Sequence, residues 1–134
     1  MKWLKWFIAG ALAVPIAHQP ALWAMHAIGY IHLTPYNMTP VKPFGVPSVI
    51  SLSFWGGVWG IILGLILNRV RGTKFWVLAT VIGAIAPTLV AGLVIMPLRG
   101  MAVGANPKLA VAGLVINAVW GFATAALWRA TSKS

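Results

Sequence analysis

Four runs of mostly apolar residues dominate this chain. Each is close to the roughly 20 residues that a helix needs to cross the hydrocarbon core of a bilayer. They cover residues 6–30, 46–67, 75–96 and 109–128. The stretches between them carry the proline, glycine and basic residues that interrupt such helices. Residues 31–45 hold Pro35, Pro40 and Pro43, and Pro47 follows. Proline at that density favours an extended path over a further helix. Residues 68–74 form a short basic turn, and residues 97–108 hold Pro97, Gly100, Gly104 and Pro107. The expected fold is therefore an all-α membrane protein, a four-transmembrane-helix bundle that makes one domain of residues 1–134.

The charged residues decide how the bundle can be solvated. Only 7% of the 134 residues are charged, all of them Lys or Arg, with no Asp, no Glu and no Cys. A soluble domain carries about 25% charged residues of both signs, so lipid must cover most of this surface. The net charge of +10 does not point to nucleic acid, because the basic residues sit where apolar runs stop and form no basic stripe. They do favour anionic lipid headgroups. Without carboxylates or thiols the side chains cannot build acid–base pairs, Ser-His-Asp triads, thiolate or carboxylate metal sites, or an acidic proton-coupling group. No enzymatic activity and no cofactor are expected.

Charge asymmetry orients the spans. One side collects Lys2, Lys5, Arg69, Arg71, Lys74, Arg129 and Lys133, and the other has Lys42, Arg99 and Lys108. The positive-inside rule then places both termini in the cytoplasm. Trp3, Trp6, Trp76 and Trp128 fall at the cytoplasmic boundary, with Tyr30, Tyr36 and Phe44 near the opposite one, as interfacial aromatic belts require. The first run also resembles a secretory signal peptide. However, Leu22 fits poorly at −3 of a cleavage after Ala24, and Pro15 and Pro20 interrupt the run, so a retained first span is expected.

The second and fourth runs share a pattern, Val58-Trp59-Gly60 leading to Arg69 and Val119-Trp120-Gly121 leading to Arg129. The first and third begin with Trp6-Phe7 and Phe75-Trp76 and hold internal prolines. The chain thus reads as two related helical hairpins in parallel orientation. Lipid removes the hydrophobic drive between helices, so close packing of small residues must replace it. Candidate packing rows are Gly56, Gly60 and Gly64 in the second run, and Gly113, Asn117, Gly121 and Ala125 in the fourth. Ala9, Ala13 and Ala17 form one in the first run, and Ala84, Thr88 and Gly92 in the third.

Polar residues inside the runs are the candidate site. His18 and Gln19 lie between Pro15 and Pro20, Thr88 follows Pro87, and Asn117 sits in the fourth run. Polar groups at that depth are costly, and an ionisable one is a functional candidate. One reading is a site for a small solute or proton, with His18 as the titrating group. The other is that these side chains hydrogen-bond one another and hold the bundle together. At the outer rim, Met25, Met38, Met96 and Met101 accompany His26 and His32. Thioethers with imidazoles suit copper(I), and haem ligation by His with His or Met is a further alternative. No tight ligand spacing supports either.

The segment Pro43-Phe44-Gly45-Val46-Pro47, running on into Phe54-Trp55-Gly56-Gly57-Val58-Trp59-Gly60, resembles a group of small four-span inner-membrane proteins of proteobacteria. They share a Pro-Phe-Gly-Val-Pro entry into a Trp-Gly-Gly-rich helix, and the likeness extends loosely over the chain. It implies a bacterial inner-membrane location and no particular activity. The expected role is that of a non-enzymatic interaction or accessory subunit, as a homo-oligomer or within a larger membrane complex. The alternative is a small transporter or channel. Because a cation pathway is usually lined with acidic groups, its solute would be neutral or anionic.

Overall fold

The computed structural model of the 134-residue chain describes residues 2–30, 36, 40, 41, 46–90, 93 and 107–132. Its helices are α1 (Lys2–Ala13), α2 (Gln19–Ala27), α3 (Ser48–Leu67), α4 (Thr73–Val90) and α5 (Pro107–Ser132), with a π-helical turn at Val14–His18 joining α1 to α2. A two-residue antiparallel ladder, β1 (Pro40–Val41) with β2 (Val46–Pro47), precedes α3. Four helical stretches are long and apolar enough to cross a membrane: Lys2–Ala27, Val49–Leu67, Thr73–Val90 and Ala110–Thr131. The first begins before the expected residue 6 and takes in Lys2 and Lys5.

The π turn follows from the prolines. Pro15 has no N–H to give the carbonyl four residues before it, and a π turn shifts the acceptor register by one residue. Accordingly, the Gln19 N–H donates to Val14 O. The next carbonyl, that of Pro15, would then look to residue 20, which is again proline. The span ends in a Schellman motif, with Gly29 N–H donating to His26 O at 3.0 Å and Tyr30 N–H to Met25 O at 3.0 Å. Gly29 takes the positive φ of 76° that this motif needs.

Helix packing is set by glycines in backbone contact. Gly10 of α1 lies against the Gly56 carbonyl and the Gly60 Cα of α3, where an added Cβ would come within 2.9 Å of the latter. Gly60 in turn abuts the Trp6 carbonyl, and Gly64 receives the Trp6 ring. The same arrangement joins α4 to α5. Gly121 abuts the Ala79 carbonyl, and a Cβ on Gly83 would approach the Gly121 Cα to 2.8 Å. Gly113 is looser, with the Thr88 methyl 3.4 Å from an added Cβ. The partner helices of these small-residue faces thus belong to this chain.

The core lies toward the basic end. Trp6, Leu63, Leu67, Phe75, Trp120 and Ala125 form one buried cluster. Leu22, Ala112 and Ile116 form a second, with Met25 and Tyr30 packed on it. Trp6, expected at the cytoplasmic boundary, points into the core of the bundle. It is fully buried and stacks on Trp128 with ring centroids 4.3 Å apart, and Gly64 leaves the space for its indole. Outside the core, large apolar side chains face outward on all the spans, among them Trp23, Trp55, Leu65, Leu89 and Phe122. Apolar exposure of this extent is what lipid, and not water, covers.

Candidate functional site

Three helices bring the mid-span polar residues together in two hydrogen-bonded groups. In the first span, the π turn presents His18, and Gln19 follows it as the first residue of α2. Gln19 is buried, 1% exposed, and its Nε2 lies 3.0 Å from His18 Nδ1. The backbone N–H of Tyr36 donates to Gln19 Oε1 at 2.6 Å. That bond orients the amide, because a backbone N–H can only donate. Nε2 therefore faces the imidazole, Nδ1 must accept, and a neutral His18 carries its proton on Nε2.

Tyr36 also repairs the backbone. Its hydroxyl donates to the Pro15 carbonyl at 2.8 Å, the acceptor whose helical donor is missing because residue 20 is proline. Tyr36 itself holds φ at 52°, a left-handed conformation that is unfavourable for a bulky side chain. Two bonds to the first span, one from its backbone and one from its hydroxyl, hold it there.

The second group lies between α5 and α4. Asn117 Nδ2 donates to Thr88 Oγ1 at 2.9 Å, beside the contact of Gly113 with the Thr88 methyl. α5 also packs against the π turn that carries His18. His18 and Gln19 thus form one group, closed by Tyr36, and Thr88 and Asn117 form the other. Sequence reasoning placed Tyr36 only in an aromatic belt. The available clue was the Pro15–Pro20 spacing, which predicts carbonyls in need of a donor but does not say which residue supplies it.

Two cavities among the described residues lie elsewhere. One, of about 10 Å³, sits among Trp59, Leu63, Ile82, Gly83, Pro87 and Trp120, at the lower limit of what holds a single water. A larger one, of about 280 Å³, opens at the basic end between the 68–72 turn and the end of α5. Neither is lined by His18, Gln19, Thr88 or Asn117.

The rim candidates do not converge among the described residues. Met25 packs on the Leu22 cluster, and His26 is exposed at the end of α2. His32, Met38, Met96 and Met101 lie outside the described residues. Among the described residues no group of three or more His, Cys, Asp or Glu is placed to hold a metal ion.

No protein-family model, curated protein or solved structure matches this chain.

Proposed function

We propose that this chain is a multi-pass protein of the bacterial inner membrane, built as two related hairpins with both termini in the cytoplasm. Its role is that of a non-catalytic interaction or accessory subunit, as a homo-oligomer or within a larger membrane complex. One observation carries the functional reading. The mid-span polar groups are engaged with one another and with the proline-interrupted backbone, so they act as an internal lock. What the chain offers its surroundings is an apolar lateral surface and a basic end.

The hairpin reading is supported by the repeated backbone contact, Gly60 on the Trp6 carbonyl and Gly121 on the Ala79 carbonyl. These glycines close the two Val-Trp-Gly segments. The equivalence this implies pairs Trp6 with Ala79 and Gly10 with Gly83. The aromatic pairs Trp6-Phe7 and Phe75-Trp76 are then not counterparts.

The test is the assembly state of the tagged chain, extracted from native membranes in a mild detergent. Light scattering and mass spectrometry of the purified material should find a stoichiometric homo-oligomer or a fixed co-purifying membrane protein. A strict monomer with no stoichiometric companion overturns the proposal.

The π turn favours a second reading, because π turns recur at functional sites. On that reading His18 and Asn117 serve passage of a neutral or anionic solute. Flux into proteoliposomes that is unchanged by His18→Ala and Asn117→Ala removes it.

A further inference from the structure

The chain's side chains offer no carboxylate to any of its ten cations. At most positions lipid headgroups and bulk counterions serve. Two arginines, however, line one open surface cavity. Arg71, on the turn between α3 and α4, and Arg129, near the end of α5, line the opening of about 280 Å³ together with Asn68, Gly72, Phe75 and Trp128.

Two of the donors there, Arg129 and Asn68, are held in place. The Arg129 guanidinium lies over the Phe75 ring, 4.2 Å from its centroid, and Phe75 is itself buried in the core. Stacking on a fixed ring limits the swing of the guanidinium and leaves its in-plane N–H groups free to donate. Asn68 receives Lys2 Nζ on its Oδ1 at 3.0 Å. That contact fixes the amide and draws a third cation to the cavity's edge. Two guanidinium forks, a side-chain amide and a nearby ammonium form a donor set with no acceptor of matching charge. Arginine forks fit the paired oxygens of a phosphate better than a lone chloride.

We propose that this cavity binds a phosphate group, with Arg71 and Arg129 as its principal donors. The phosphate is either the headgroup of an anionic phospholipid reaching in from the bilayer or a free phosphate ion from the aqueous side. The inference stands apart from the accessory-subunit reading, and only the lipid source requires the membrane placement.

The test uses the full chain purified in a non-ionic detergent. It is titrated separately with phosphatidylglycerol, phosphatidylcholine and inorganic phosphate, with adducts counted by native mass spectrometry and stability read by thermal unfolding. Wild type should bind phosphatidylglycerol or inorganic phosphate in preference to phosphatidylcholine. Binding of phosphatidylglycerol alone identifies the lipid source, and binding of inorganic phosphate identifies the free ion.

Arg71→Gln should weaken binding about tenfold or more, the usual loss for one charged hydrogen-bond donor. Arg71 is exposed on a turn, so this variant keeps the core contacts that Arg129→Gln would disturb. Lys74→Gln, at the start of α4 and outside the cavity lining, should bind as wild type does. Unchanged binding by Arg71→Gln overturns the proposal. So does an equal loss in Lys74→Gln, which marks diffuse attraction to a basic surface.

Discussion

The indole N–H of Trp120 donates to the carbonyl oxygen of Gly10 at 3.0 Å, joining α5 to α1 across 110 residues of sequence. It connects the two glycine-packed helix pairs, and it reaches Gly10 at the point where that residue meets Gly56 and Gly60. Trp6 is equally buried, but among the described residues its Nε1 is a buried side-chain donor with no partner. The two tryptophans should therefore respond differently to the same substitution. Trp120→Phe loses packing and a hydrogen bond, the bond alone contributing about 0.6–2 kcal/mol within a membrane bundle. Trp6→Phe loses packing but relieves an orphaned donor that costs about 1–3 kcal/mol. Unfolding midpoints in a detergent titration should rank Trp6→Phe as the milder change. The reverse order would show that the Trp120 bond contributes little.

The glycine contacts make a sharper ranking. At Gly60 and Gly121 a new Cβ would meet a backbone carbonyl, of Trp6 and Ala79 respectively, and backbone cannot move aside as a flexible side chain can. Gly60→Ala and Gly121→Ala should each cost about 1–3 kcal/mol or more, as overpacking does. At Gly113 the nearest atom is a Thr88 methyl at 3.4 Å, and alanine is the better helix former by about 1 kcal/mol. Gly113→Ala should be neutral or mildly stabilising. Thermal unfolding of the three variants in one detergent checks the ranking, and similar losses at all three would contradict it.

These contrasts also mark how far the residues alone could be read. The four spans, the basic turn and the glycine row of α3 follow from length, charge and four-residue spacing. The partner of that row does not. In the first span the expected small-residue row does turn inward, with Ala9 and Ala13 buried, but the contact with the α3 glycines falls on Gly10, one position round the helix. Ala, Gly and Val offer little contrast in lipid, so spacing cannot decide which face meets a partner. Trp6 misleads for a related reason. A tryptophan beside lysines reads as interfacial, and only tertiary packing reveals the space that Gly64 leaves for it. In the candidate site, His18, Gln19, Thr88 and Asn117 are visible as polar groups at depth. Tyr36 is not, because its role depends on a return of the chain to the π turn.

Tyr36 allows a test of that turn. Tyr36→Phe removes the donor to the Pro15 carbonyl, a partly exposed bond that contributes about 0.5–1.5 kcal/mol. The carbonyl needs that donor only because residue 20 is proline. In a Pro20→Ala background the residue regains an N–H in position for the π register, and the penalty of Tyr36→Phe should shrink toward zero. The double-mutant cycle, read by thermal unfolding, should therefore show a coupling of about 0.5 kcal/mol or more. Additive effects would detach Tyr36 from the backbone gap.

Orientation can be tested cleanly because the chain has no cysteine of its own. Lys2 donates to Asn68, and Lys5 to the Thr131 carbonyl at 3.5 Å, so the N-terminus, the 68–72 turn and the end of α5 share one end of the bundle. That end carries Lys2, Lys5, Arg69, Arg71, Lys74 and Arg129, the excess that marks the cytoplasmic side. Single cysteines at Thr73→Cys and Ser132→Cys should resist a membrane-impermeant maleimide in intact cells with a permeabilised outer membrane. They should react once the inner membrane is opened, whereas Ile28→Cys, exposed at the far end of the first span, should react in both conditions. Labelling of residues 73 and 132 in intact cells would invert the proposed topology. Opposite behaviour of those two residues would break the shared end that the lysine contacts define.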